Sequence, residues 1–204
     1  MAETYEIMMA FADELAARGL QHVCISPGSR STPLALTFSR HPAIEHSIHH
    51  DERSSAFFAL GIAKTTLRPV AIITTSGTAA AELHPAMVEA RFGRVPLLAL
   101  TADRPPQLRG TGANQTVDQV DLYGTNAKWF RDAPLAAVTD QPQARAMAAR
   151  ACAEALAAPI GPVHINFPFE EPLLPDKTPA GTKVTDPATT WAAPTSLPDE
   201  AALR

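Results

Sequence analysis

Two acidic residues between a predicted strand and a predicted helix are the best candidates for acid–base chemistry. The apolar run at 43–48 predicts a strand, and the alanine-rich segment at 54–64 predicts a helix. Asp51 and Glu52 lie at the corner between them. They could simply be helix-start acids, since an acid there caps the helix and interacts favourably with its dipole. They could also bind a ligand, because ligands bind at the carboxyl ends of strands in open α/β sheets.

Polar turns follow three further predicted strands. The strands at 22–25, 70–74 and 96–101 lead into Ser26-Pro27-Gly28-Ser29-Arg30, Thr75-Ser76-Gly77-Thr78 and Ala102-Asp103-Arg104. In a parallel sheet these turns and the Asp51-Glu52 corner all lie on one edge. Four such corners on one edge are harder to explain as independent helix caps.

The chemistry of these turns has alternatives that the residues alone leave open. The 75–78 turn could bind a phosphate at a helix N-terminus, but it lacks the lysine of a P-loop, and a capped helix explains it equally well. Arg30 and Arg104 could bind a carboxylate through their guanidinium forks, with Ser29 beside them. Either arginine could instead be a solvated surface residue.

Two other site types are disfavoured. Four histidines (His41, His46, His49 and His50) lie close together in sequence, but their spacing fits no standard metal site, so no metal ligand is predicted. The segment around Ser76 lacks Gly-x-Ser-x-Gly, which disfavours a hydrolase nucleophile.

Alternating strands and helices predict βαβ units. The expected fold class is α/β, with a mostly parallel sheet in a three-layer α/β/α arrangement. Further helices are predicted at 4–18 with Thr4 as N-cap, at 34–39, at 78–90 and at 141–158, and further strands at 128–130 and 162–166. The polar segment 107–126 has no period and is predicted to be a functional loop. Residues 1–175 are predicted to form one domain, and residues 176–204, rich in Pro, Thr, Ala and Asp, a linker.

Composition limits the possible partners. The 204 residues are 46% hydrophobic and 19% charged, with a net charge of −4, so neither nucleic acid nor a membrane is an expected partner. No apolar run approaches the roughly 18 residues of a spanning helix. Cys24 and Cys152 lie far apart and are expected to be buried, reduced thiols of a cytoplasmic protein.

Five motifs in order resemble a known family. They are Ser-Pro-Gly-Ser-Arg-Ser-Thr-Pro at 26–33, Asp-Glu-Arg at 51–53, Thr-Ser-Gly-Thr-Ala at 75–79, Thr-Ala-Asp-Arg-Pro-Pro at 101–106 and Gly-Ala-Asn-Gln at 112–115. Together they resemble the N-terminal, pyrimidine-binding domain of thiamine-diphosphate enzymes, in particular the 2-succinyl-5-enolpyruvyl-6-hydroxy-3-cyclohexene-1-carboxylate synthases of menaquinone biosynthesis. The resemblance covers about residues 1–175.

The resemblance implies a reaction and a role for each matching residue. The family decarboxylates 2-oxoglutarate on the cofactor and adds the resulting carbanion to isochorismate. The resemblance implies that Glu52 is catalytic. Its carboxyl would hydrogen-bond to the aminopyrimidine N1′ and favour the imino tautomer that deprotonates thiazolium C2. The implied cofactor-binding residues are Glu52, Pro27, Gly28, Thr75, Ser76, Gly77 and Thr78. The implied substrate-binding residues are Ser29, Arg30, Asn114 and Gln115, with Arg104 a weaker candidate.

The resemblance also implies parts that this sequence lacks. The family binds the diphosphate and Mg²⁺ or manganese through a Gly-Asp-Gly motif in another domain, and no Gly-Asp-Gly occurs here. Its active site forms between this domain and the diphosphate-binding domain of a neighbouring subunit in a homo-oligomer, a dimer or tetramer. The chain is therefore expected to be a fragment that is inactive alone. Glu82 stands where related sequences often have Asn, and it faces either the cofactor or solvent.

Two alternative functions remain at this stage. One is a domain of another thiamine-diphosphate 2-oxo acid decarboxylase or synthase, which would not need donors for a second dicarboxylate. The other is a non-catalytic interaction domain that has kept the fold.

Overall fold

Parallel strands form one sheet at the centre of the molecule. The computed structural model describes residues 2–133 and 140–175. The strands are β1 (His22–Ile25), β2 (Glu45–Ile48), β3 (Val70–Thr74), β4 (Leu97–Asp103), β5 (Phe130–Asp132) and β6 (Val163–Pro168). Their order in the sheet is β2-β1-β3-β4-β6-β5, and every neighbouring pair is parallel. The predicted carboxyl-end edge is therefore a real feature of the fold.

Helices cover both faces of this sheet. They are α1 (Ala2–Ala17), α2 (Thr32–Ser39), α3 (Glu52–Thr66), α4 (Thr78–Ala81), α5 (His84–Gly93) and α6 (Gln141–Leu156). One apolar cluster joins α1, α2 and α6 to the sheet face that contains Val23 and Ile25. A second joins α3 and α5 to the opposite face, which contains Cys24 and Ile72. These two clusters confirm the three-layer α/β/α arrangement.

The burial of the strands follows their place in the sheet. β3, β4 and β6 are buried throughout, as expected for strands covered on both faces. β2 lies at the edge of the sheet and is largely exposed. β2 is therefore accessible to other molecules at this edge of the sheet.

Three sequence predictions need correction. The helix predicted at 78–90 is two helices, because Pro85 lies in the first turn of α5, where a missing N–H is tolerated, and would break a longer helix. Thr4 is not an N-cap, since α1 already begins at Ala2. The strand predicted at 128–130 is displaced to β5.

The structure also bears on the predicted loop, the two cysteines and the absence of a membrane-spanning helix. The segment 107–126 is irregular apart from short 3₁₀ turns at Pro106–Leu108 and Gly124–Asn126. Cys24 and Cys152 are buried free thiols, and burial raises the pKa of Cys152 to about 12. In the parts of the chain that the structure describes, no helix has the length and apolarity needed to cross a bilayer. The predicted linker at 176–204 lies outside the described residues.

Candidate functional site

The start of α3 separates the roles of its two acids. Asp51 has an extended backbone and accepts a 2.6 Å hydrogen bond from the Ser54 backbone N–H, so it is the N-cap. Glu52 is the first helical residue and is half-buried. Its carboxylate makes no hydrogen bond or ion pair with any residue in 2–133 or 140–175. The capping function therefore belongs to Asp51, and the carboxylate of Glu52 is available to a ligand.

The ends of β1 and β3 approach each other very closely. A Cβ atom at Gly28 would lie 2.5 Å from Thr75 Cβ and 2.7 Å from Thr75 Oγ1. The absence of a side chain at Gly28 lets the two turns meet, since the strands that precede them are neighbours in the sheet. Pro27 is exposed beside this contact. Pro27, Gly28 and Thr75 thus belong to one stretch of surface at the carboxyl-end edge.

The long polar loop is fastened to the turn after β3. Gln115 Nε2 donates to the Ser76 carbonyl at 3.0 Å, and Ser76 Oγ donates to the Gln115 carbonyl at 3.1 Å. Gly77 has φ +87°, and a Cβ there would lie 2.9 Å from Gln115 Cγ. The structure therefore joins a residue predicted to bind substrate to the turn predicted to bind the cofactor.

Gln119 makes a second attachment between the same loop and turn, and sequence reasoning missed it. Its buried side chain accepts a hydrogen bond from the Gly77 N–H at 2.9 Å and donates to the Ala102 carbonyl at 3.1 Å and to Asn166 Oδ1 at 2.9 Å. Because a backbone N–H only donates and a carbonyl only accepts, these partners fix the amide orientation. Its place in the aperiodic loop was the only sequence signal.

Asp103 has a structural role, although it stands at one of the four predicted ligand corners. Its fully buried carboxylate accepts hydrogen bonds from Arg109 at 3.0 Å, Asn166 at 2.9 Å and the Arg104 backbone N–H at 2.7 Å. Arg109 also contacts Asp132, and hydrogen bonding to that residue is the main cause of the raised pKa of Arg109. A carboxylate with these partners is not available to a ligand.

Arg30 and Arg104 line a shared cavity of about 260 Å³ at this edge. Arg30 is buried, and its guanidinium donates to the Phe169 carbonyl at 2.9 Å and to Glu171 Oε1 at 3.2 Å. Burial and, secondly, the charge of Arg104 lower the pKa of Arg30. Two neighbouring guanidinium groups give the cavity the chemistry of a carboxylate-binding site.

The remaining predicted site residues are not held in place by side-chain hydrogen bonds to other described residues. Ser29, Thr78 and Asn114 lie at the surface, and their side chains make no hydrogen bond within the described ranges. Glu82 is exposed at the C-terminal end of α4, as the solvent-facing alternative expected. No hydrogen bond or ion pair joins Glu52 to the other site residues that the structure describes.

The histidines have structural neighbours. His41 Nε2 lies 3.2 Å from Asp13 Oδ1, and the His49 ring centroid lies 5.0 Å from that of Phe58. His164, which the sequence did not single out, is buried against Tyr123 and Phe130, and burial lowers its pKa to about 3. Among residues 2–133 and 140–175, no group of three or more His, Cys, Asp or Glu side chains is arranged to hold a metal ion.

A family of known proteins matches this chain. Residues 6–122, more than half of the chain, match the family model described as thiamine pyrophosphate enzyme, N-terminal TPP binding domain. The chain belongs to this family. Thiamine pyrophosphate is the same compound as thiamine diphosphate.

Curated relatives carry one common name. Over 168 residues the chain is 54% identical to 2-succinyl-5-enolpyruvyl-6-hydroxy-3-cyclohexene-1-carboxylate synthase of Chloroflexus aurantiacus, an alignment that covers 82% of this chain and 29% of the relative. It is 56% identical over 168 residues to the protein of that name from Geobacillus thermodenitrificans, covering 81% and 29%. For Haloquadratum walsbyi the identity is 54% over 171 residues, covering 83% and 28%. The chain thus spans less than a third of the length of these relatives.

The described residues fit one end of thiamine diphosphate and not the other. The unpartnered carboxylate of Glu52 can bond a ring nitrogen, and the turns that contain Gly28 and Gly77 lie on the same edge of the sheet as that carboxylate. A diphosphate with a divalent cation needs oxygen ligands for the cation. The part of the chain that the structure describes holds no such cluster. The fit is therefore to the aminopyrimidine ring.

Proposed function

We propose that this chain is the pyrimidine-binding part of a thiamine-diphosphate-dependent 2-succinyl-5-enolpyruvyl-6-hydroxy-3-cyclohexene-1-carboxylate synthase. The observation that supports this most directly is the unpartnered carboxylate of Glu52 at the carboxyl-end edge, beside an N-cap that already completes the helix start. The common name of relatives at 54–56% identity supports the choice of reaction.

Glu52 has the role of holding a proton at the aminopyrimidine N1′. The chemistry that thiamine diphosphate supplies when bound is nucleophilic addition to a 2-oxo acid, followed by loss of CO₂. A half-buried carboxyl strengthens its contact with a ring nitrogen, because the surrounding dielectric is lower than that of water. Gly28, Thr75 and the Ser76-Gly77 turn, with Pro27 and Thr78 at its margin, would lie against the ring.

Arg30 is the main binding group for the acceptor substrate in this proposal. Isochorismate has two carboxylates, and the cavity that Arg30 and Arg104 line supplies two positive charges. Gln115 is held next to the cofactor turn, and Ser29 and Asn114 present polar side chains at the surface of the same edge. In this proposal, donors for the acceptor would lie beside the site of 2-oxoglutarate decarboxylation.

The diphosphate, Mg²⁺ and the partner surface belong to residues outside this chain in the proposal. A diphosphate-binding domain of a neighbouring subunit would supply the metal ligands. The exposed side chains of Ile48, Phe57 and Phe58, on β2 and α3, give an apolar surface for such a domain. The functional unit would then be a homo-oligomer.

Activity of the full-length protein tests this function. We expect it to release CO₂ from 2-oxoglutarate and to consume isochorismate in the presence of thiamine diphosphate and Mg²⁺, and we expect the 204-residue chain alone to do neither. Decarboxylation without any consumption of isochorismate would point to another thiamine-diphosphate enzyme. A full-length protein without either activity, or product from the chain alone, would reject the proposal.

A further inference from the structure

The ion pair between Arg30 and Glu171 joins a buried cation to an exposed anion. The side chain of Arg30 is 7% exposed and that of Glu171 is 72% exposed, and their closest atoms are 3.2 Å apart. Exposed partners of this kind contribute little stability, because water solvates the carboxylate well when it leaves. Glu171 can therefore exchange for another carboxylate at Arg30, which is held in place by the Phe169 carbonyl.

Within the described ranges, no other carboxylate pairs with the two guanidinium groups of this cleft. Asp103 is nearby, but its oxygens are occupied by Arg109, Asn166 and the Arg104 N–H. Arg104 has no side-chain partner among the described residues, and its Nε is buried and unbonded. Two neighbouring guanidinium groups thus share one displaceable counter-charge, and Arg104 is left without a carboxylate partner among the described residues.

The adjacent acid has a different partner, which makes it a natural control. Glu170 Oε1 accepts a 3.1 Å hydrogen bond from Gln107 Nε2. Glu170 and Glu171 both follow β6 and both line the cavity, but Glu171 alone of the two contacts a guanidinium. The two residues are matched in charge and chain position, and both are exposed.

We propose that Glu171 is an internal stand-in for a ligand carboxylate. It occupies the guanidinium of Arg30 when the cleft is empty and gives way when a dicarboxylate binds, whose second carboxylate pairs with Arg104. The inference rests on the proposed function only in identifying that dicarboxylate as the acceptor substrate.

This arrangement predicts selectivity for dicarboxylates. A tethered carboxylate competes with every incoming anion for Arg30. A monocarboxylate can pair with only one of the two guanidinium groups, either by replacing Glu171 at Arg30 or at Arg104 alone, while a dicarboxylate can pair with both. Glu171 therefore lowers the affinity for every carboxylate that pairs with Arg30, and the effect weakens as salt screens the charges.

Succinate binding to the 204-residue chain tests the role of Glu171, with propionate as the monocarboxylate comparison. Chemical-shift titrations would give dissociation constants for wild type, Glu171→Gln and Glu170→Gln at low and high salt. We expect Glu171→Gln to bind succinate about three- to fivefold more tightly than wild type, from the typical strength of an exposed ion pair. Glu170→Gln should change the constant by less than about twofold, because Glu170 does not compete for Arg30.

Three results would overturn the inference. They are equal effects of the two substitutions, weaker succinate binding by Glu171→Gln than by wild type, and no succinate binding by either protein. None of them depends on cofactor or turnover. A full-length protein that lacks synthase activity would reject the proposed function and leave the binding result intact, so the two failures are distinguishable.

Discussion

At the scale of single residues, Gly28 shows how closely the turns after β1 and β3 approach each other. Because an added methyl group would overlap Thr75 at 2.5 Å, we expect Gly28→Ala to lower the free energy of unfolding by about 1–3 kcal/mol. Gly61→Ala is the matched control, since Gly61 lies within α3 and a methyl group added there would have no atom within 4 Å apart from the backbone of its own helix. It should raise the free energy of unfolding by about 0.5–1 kcal/mol.

Urea unfolding of the 204-residue chain measures both glycine variants. Equal effects of the two substitutions, or a Gly28→Ala chain as stable as wild type, would show that the two turns are less closely packed than described. Gly61 itself is exposed on α3.

Sequence reasoning finds residues whose type is unusual for their local position, and misses those defined by distant partners. Glu52 and Gly28 could be singled out because a corner acid and a glycine turn are local patterns. Gln119 and Glu171 could not, since their roles depend on Gly77 and Arg30, which are 42 and 141 residues away in the chain. Asp103 was misjudged for the same reason, because its partners Arg109 and Asn166 are not visible from a strand end.

The start of α3 gives a pH-dependent prediction at the scale of elements. Hydrogen bonds from Ser54 hold the pKa of Asp51 below its usual value, so the ionised form is favoured by folding. Its contribution is therefore fully present above the unfolded pKa of about 3.9 and is lost as the pH falls through the lower folded pKa. We expect Asp51→Ala to lower the thermal unfolding midpoint by about 2–4 °C at pH 7 and by less at pH 3.

Asp51→Asn is the control for this prediction. An asparagine side chain still caps the helix and does not titrate, so its unfolding midpoint relative to Asp51→Ala should be independent of pH. Thermal scans of the three proteins at pH 3 and pH 7 compare them directly. A deficit of Asp51→Ala that is as large at pH 3 as at pH 7 would contradict the role of the ionised cap.

Helices and strands could be predicted where one local sequence pattern dominates. Apolar runs located β1 and β3 at their observed bounds, and the breakers at 26–33 located the turn into α2. The division of α4 from α5 was missed, although Pro85 marks it in the sequence. The displacement of β5 was missed because a strand of three residues has too few side chains to show a period.

Strand order is the main feature of the whole molecule that the sequence could not give. Alternation of strands and helices predicts a parallel sheet, but not that β4 is followed in the sheet by β6, with β5 outside it. That order places Asn166 of β6 beside Asp103 and Gln119. The buried polar network behind the site is thus a consequence of topology, not of local sequence.

The exposed apolar surface gives a prediction for the whole chain. Phe58 is 52% exposed and lies near the open edge of the sheet with Ile48 and Phe57. We expect the 204-residue chain to self-associate at high concentration through this surface, and Phe58→Ser to weaken that association. Sedimentation velocity measures it, with Leu174→Ser as a control, because Leu174 is also exposed but follows β6. A sharp monomer for wild type at high concentration would contradict the prediction.

The most direct test of the central claim compares wild type with Glu52→Gln in the full-length protein. The assay is CO₂ release from 2-oxoglutarate with thiamine diphosphate, Mg²⁺ and isochorismate, and circular dichroism monitors folding. If Glu52 holds the proton at N1′, activity should fall by about 10²–10⁴-fold with the fold intact, while Asp51→Asn stays close to wild type. Unchanged activity of Glu52→Gln would make Glu52 a helix-start acid and contradict the assignment of this edge as the cofactor site.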